Sequence, residues 1–183
     1  LALRVAGTWG GVPAAVLAGA VLQALAFLVF AGWVWRCLDP PPLGPLRRHL
    51  AASSGWIAAA CLCETFLRLR AVNAGLAVPP LDSMRAVHSM ALLGGVIGWV
   101  SGVLLRAGPM FLPRWNAPAA LARALPWMLG LGAALAATGE WVGDGRAARL
   151  GELVVLGSVA AMLIAGGVLR QAGGMLPMVS RSV

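Results

Sequence analysis

The sequence predicts an all-α integral membrane protein, a helical bundle with about five transmembrane helices forming one domain over residues 1–183. Three observations carry that prediction. Five apolar runs are each long enough to cross a bilayer: Ala14–Trp35, Leu50–Leu69, Met84–Leu105, Ala117–Val142 and Leu150–Leu169. At about 1.5 Å rise per residue, about 20 apolar residues span a hydrocarbon core of roughly 30 Å. Charges are scarce inside the runs, where a water-soluble helix of the same length would show a charged face. The connectors hold the chain breakers: Asp39-Pro40-Pro41-Pro42, Pro79-Pro80, Gly108-Pro109 with Pro113, and Gly143-Asp144-Gly145.

Taken in order, the first run ends in Trp33, Trp35 and Arg36, a belt of aromatic rings followed by a cation that reaches the headgroups. Trp115, Trp127 and Trp141 read the same way. The second run carries Cys61 and Cys63, about 200° apart on a helix. They cannot clip a metal together and read as small apolar residues. In the third run Gly94, Gly98 and Gly102 recur every four residues, a small-residue stripe that lets another helix approach closely. The fourth run holds Arg123 and Pro126 near its start, which predicts a helix beginning near Leu125 after an interfacial segment. Glu152 opens the fifth.

Composition narrows the class. The chain is 60% hydrophobic and 11% charged with a mean hydropathy of +0.86, leaving no room for a soluble domain between spans. The net charge of +8 does not indicate a nucleic-acid partner, because its 14 arginines are spread over span ends rather than gathered on one face. The expected partners are membrane lipids and other membrane protein subunits, with no nucleic acid. The Ala, Arg, Gly and Pro bias resembles a GC-rich bacterial genome, which points to the bacterial inner membrane. No signal-peptide pattern opens the chain. Its first residue, Leu1, suggests a later part of a longer protein.

Five spans put the ends on opposite sides, here called A (N-terminal) and B (C-terminal). Side A carries Arg4, Arg68, Arg70, Arg85, Arg146 and Arg149. Side B carries Arg36, Arg47, Arg48, Arg106, Arg114, Arg123, Arg170 and Arg181. The positive-inside rule favours B as cytoplasmic.

His88 is the one histidine placed inside a span, and an ionisable group there is a functional-site hypothesis. At about 100° per residue, Arg85, His88, Gly95, Trp99, Gly102 and Arg106 share one broad face. A neutral imidazole is a common haem-iron ligand, and Gly95 would leave room for a flat macrocycle. The plain alternative is that His88 hydrogen-bonds a neighbouring carboxylate or carbonyl near the interface.

The segment Asp82-Ser-Met-Arg85-Ala-Val-His88, continuing through Gly94-Gly95 and Gly102 to Arg106, Pro109 and Phe111, resembles a motif of the NnrS-type membrane proteins, distant relatives of haem–copper oxidase subunit I. About 30 residues, 82–111, carry the resemblance, and it fits the later half of such a protein. It implies a polytopic fold associated with haem, copper and nitric-oxide or respiratory metabolism. It makes His88 a candidate metal ligand to haem b, and Arg85 and Arg106 span-end arginines of the motif; a chlorophyll-type pigment belongs instead to the reading of the chain as a subunit of a larger complex. The family has further histidines, whereas this chain has only His49 and His88, so no copper site carries over. His49 opens span 2 at side B while His88 opens span 3 at side A, too far apart to share one haem.

The same topology gathers polar residues. Glu64, Glu140 and Glu152 fall toward side A with Arg85 and His88, while Arg68, Asp82, Asp144 and Arg149 lie just outside. Among the acids only Asp39 falls at side B. Such a cluster is able to carry protons or to act as a salt-bridge layer that fixes helix order. Three functions remain open: a haem-associated protein with Glu64 and Arg85 behind His88, a non-catalytic subunit packing by its glycine faces against partner subunits, lipids or pigments, and a small transporter using the side-A cluster. No G-x-S-x-G, H-E-x-x-H, P-loop or C-x-x-C-H pattern marks an enzyme.

Overall fold

The computed structural model describes residues 12–37, 44–76, 78–111, 115 and 117–167. Arg4, Asp39, Arg114, Arg170 and Arg181 of the charge count lie outside the described residues. The five apolar runs are helices: α1 Pro13–Cys37, α2 Gly44–Asn73, α3 Leu81–Phe111, α4 Ala119–Val142 and α5 Gly145–Ala165. No strand occurs among the described residues. All five helices are long and apolar enough to cross a membrane, and at most 39% of any span's most apolar stretch is buried, leaving broad faces for lipid. This is a multi-pass membrane protein.

α3 is the hub. It packs on α2 and on α4, while α1 covers α2 and α5 covers α4. Lipid removes the usual hydrophobic drive between helices, so close backbone approach and interhelical hydrogen bonds hold them. The stripe of α3 is turned toward α2. A Cβ at Gly94 would lie 2.5 Å from the Trp56 ring, and one at Gly102 would lie 2.7 Å from Cβ of His49. Gly98 meets Ser53 in the same way. The stripe thus serves packing within the chain, and partner subunits would have to use other faces. The α4–α5 pair is closer still. A Cβ at Gly139 would lie 2.8 Å from Cα of Ala148, and one at Gly151 would lie 2.8 Å from Cα of Ala136.

Three local features depart from the sequence reading. α3 is not uniform: Leu81–Ser89 is α-helical, Met90–Val96 is a π-helix, and Ile97–Phe111 returns to α. Bonding from i to i+5 adds a residue per turn and rotates everything downstream, so a wheel drawn at a constant 100° fails across it. α4 begins at Ala119 rather than near Leu125, with Pro126 inside it. Finally, Trp115 is not in the interfacial belt. Its indole is 7% exposed and packs with Leu125, Leu129 and Met162. It is held between Gly108 and Gly166, where an added Cβ would come within 2.6 Å and 2.7 Å of the ring. Trp33, Trp35, Trp127 and Trp141 are exposed.

Candidate functional site at side A

Two tight turns build this end of the bundle. At the α4–α5 turn Gly143 adopts φ +75°, which glycine takes without steric cost. The N–H of Asp144 donates to the Gly139 carbonyl at 2.8 Å and that of Gly143 to Glu140 at 3.3 Å, a Schellman closure of α4. The Asp144 carboxylate then caps α5, accepting from the N–H of Arg146 at 2.9 Å and of Ala147 at 3.3 Å. One Gly-Asp pair therefore reverses the chain. Glu140, on the last turns of α4, and Glu152, two turns into α5, are carried to the same end. Gly75, φ +70°, closes α2 by the same pattern, with Leu76 N–H donating to Ala71 at 2.8 Å.

Opposite this turn α3 starts with Asp82, Arg85 and His88 on successive turns. A cavity of about 430 Å³ is lined by Asp82, Arg85, Glu140, Arg149 and Glu152 together with the α4–α5 turn. A second, open cavity of about 220 Å³ is lined by Arg85, His88, Leu92, Leu93, Glu140 and Glu152. Arg85, Glu140 and Glu152 line both. Arg85 contacts Asp82 at 3.5 Å in an exposed pair. Such pairs contribute little to stability. Among the described residues no hydrogen bond or ion pair engages the side chains of His88, Glu140 or Glu152. His88 is exposed at the cavity mouth, Glu152 is exposed and Glu140 half-buried. A salt-bridge layer would have tied these groups to one another; here two carboxylates and an imidazole face a common space.

Two expected members stand apart. Glu64 is 7% exposed and pairs along its own helix with Arg68, whose Nη2 lies 2.8 Å from Oε1 and whose Nε donates to the same oxygen at 2.9 Å. It lines neither of these two cavities. Gly95 is buried against Ile57 of α2, not beside His88. The π segment between them turns the two residues to different sides of α3, and the side chain of Ile57 already occupies the space that Gly95 was expected to leave open. Gly94, Gly98 and Gly102 face α2 with it. Cys61 is buried and Cys63 half-buried, and no group of three or more His, Cys, Asp and Glu side chains able to hold a metal ion occurs among the described residues.

Sequence reasoning placed His49 just before span 2 and only set it aside as a haem partner, whereas the spanning helix, Leu46–Asn73, includes it. Its ring is 1% exposed at side B, and Nε2 lies 3.3 Å from the carbonyl oxygen of Ala122 on α4. The signal was available: a proline at 126 releases the carbonyl four residues earlier, and a histidine stands at the same end of a neighbouring span. Gly102, which contacts His49, lies roughly 20 Å along α3 from His88. Comparison of the chain with protein-family models, with curated proteins and with solved structures returns no match.

Proposed function

We propose that this membrane protein works through the side-A cavity, with His88 as the group that binds a ligand. The observation that carries the reading is the imidazole itself: exposed at a cavity mouth, with Arg85 one turn before it and no partner among the described residues. The resemblance to NnrS-type proteins makes haem b the ligand to test first, ahead of a chlorophyll-type pigment, and links the protein to respiratory or nitric-oxide metabolism at a bacterial inner membrane. A lone imidazole would supply one ligand to such a group. His88 would hold the iron and Arg85 would pair with an acidic edge of the macrocycle. Bound haem would supply one-electron and diatomic-gas chemistry. Glu140 and Glu152 would exchange protons with the same space.

A second reading rests on cavity size. About 220 Å³ beside His88 does not enclose a macrocycle, whose other face would be covered by lipid or another chain. This favours a non-catalytic subunit of a larger membrane complex, with His88 at a shared boundary. One experiment addresses both readings: reduced-minus-oxidised absorption spectra of the detergent-purified protein, wild type beside His88→Ala. A b-type band in the wild type that disappears in the variant is the expected result. No band in either overturns haem binding by this chain alone. His88 is exposed, so its removal leaves the fold intact and the comparison interpretable.

A further inference from the structure

Proline at 126 has no N–H, so the intrahelical bond it would have donated to the Ala122 carbonyl cannot form. In a bilayer an unsatisfied backbone carbonyl costs several kcal/mol, and interior prolines are tolerated where a neighbour supplies the missing donor. Among the carbonyls of α4, the one that Pro126 frees is the one His49 reaches, at 3.3 Å. The ring is almost wholly buried, and its Cβ stands where a side chain on α3 would otherwise be, because position 102 is glycine. Three helices therefore meet at one imidazole.

We propose that His49 is the surrogate donor for Pro126, a key that fixes α2, α3 and α4 against one another at side B. A carbonyl only accepts, so Nε2 carries the proton. Nδ1 is then the bare nitrogen, in agreement with its burial without a hydrogen-bond partner. His49 acts in assembly of the bundle, independently of any ligand at His88. Gly102 supplies the room and Pro126 the need.

The test is a double-mutant cycle on the full chain, comparing wild type, His49→Leu, Pro126→Ala and the double variant. The reading is the midpoint of reversible unfolding in mixed SDS micelles. His49→Leu lowers the midpoint clearly in the proline background. In the Pro126→Ala background, where the backbone N–H is restored, most of that loss disappears. An equal loss in both backgrounds overturns the proposal. Should the His49→Leu variant fail to fold, ¹⁵N NMR of histidine-labelled wild type decides. A proton on Nε2 with Nδ1 bare is expected, and the reverse tautomer overturns the assignment.

Discussion

The two ends of the same helices treat their polar groups in opposite ways. At side B several of them are drawn into contacts between helices. His49 bonds α4, Trp99 donates through Nε1 to Ser54 at 3.2 Å, and Phe30 of α1 stacks on Trp99 with ring centroids 5.3 Å apart. Arg47 lies over Trp35 with its guanidinium carbon 4.0 Å from the ring centroid, tying the end of α1 to the start of α2. At side A, His88, Glu140 and Glu152 face open space without a partner among the described residues. Polar groups that hold helices together are drawn into the bundle, even where one atom, such as Nδ1 of His49 or Nε1 of Trp115, is left without a hydrogen-bond partner; those that meet a ligand or a proton stay accessible. On the proposed function, assembly belongs to one end of the bundle and chemistry to the other.

That division holds only if the side-A scaffold is rigid without help from its charged groups. The rigidity comes from backbone contact between α4 and α5 at Gly139, Ala148, Gly151 and Ala136. Gly151→Val places atoms where the α4 backbone already is, and backbone cannot move aside as a side chain can. The expected loss is at the upper end of overpacking costs, about 3 kcal/mol, read from unfolding in mixed micelles. Gly157→Ala on the same helix is the control. No atom lies within 4 Å of its added Cβ, so it gains up to about 1 kcal/mol from helix propensity. A harmless Gly151→Val would show that α4 and α5 are not in direct contact, and the shared placement of Glu140 and Glu152 would lose its basis.

A smaller effect sharpens the side-B half of the comparison. Ser54→Ala removes the acceptor of the Trp99 indole N–H, a bond between α2 and α3. Interhelical bonds of this kind in membranes contribute about 0.6 kcal/mol, because the unfolded chain in the bilayer also finds partners. The expected loss is of that size. The Trp99 fluorescence should shift as its N–H loses the hydroxyl. A loss of several kcal/mol would mean that side B rests on hydrogen bonds more than on the fit of Trp56, Ile57 and Trp115 into their glycine notches.

The sequence made some of this legible and hid the rest for physical reasons. The spans were readable because an apolar run of sufficient length has one solution in a bilayer. Counting crossings sufficed to bring His88, Arg85, Glu140 and Glu152 to one end, since direction alternates with each span. The π segment was not readable: its seven residues, Met90–Val96, are ordinary helix formers apart from the glycines. Their conformation accompanies the close approach of Trp56 and Ile57 from another helix. That single tertiary event moved Gly95 away from His88. Trp115 was misplaced because span-end tryptophan usually means interface, while its burial depends on two glycines, Gly108 near the end of α3 and Gly166 beyond α5. Glu64 sits on the expected side, yet it pairs with Arg68 along its own helix and lines neither side-A cavity.

The smallest expected effect bears most directly on side A. Replacing Glu140 and Glu152 together by Gln removes two charges while keeping shape. Were they half of a salt-bridge layer, the change would leave Arg85 and Arg149 uncompensated and lower stability by more than about 1 kcal/mol. Among the described residues neither carboxylate has a bond or ion pair to lose, so the unfolding midpoint should stay within about 0.5 kcal/mol of wild type, as for other accessible substitutions. Any protonation-linked property of a ligand on His88 should change in the same variant, because the two carboxyls that line its cavity are gone. Unchanged stability with an altered pH profile of the reduced-minus-oxidised spectrum supports a working cavity at side A. Lost stability would return these residues to the role of structural ballast and leave both ends of the bundle built for assembly alone.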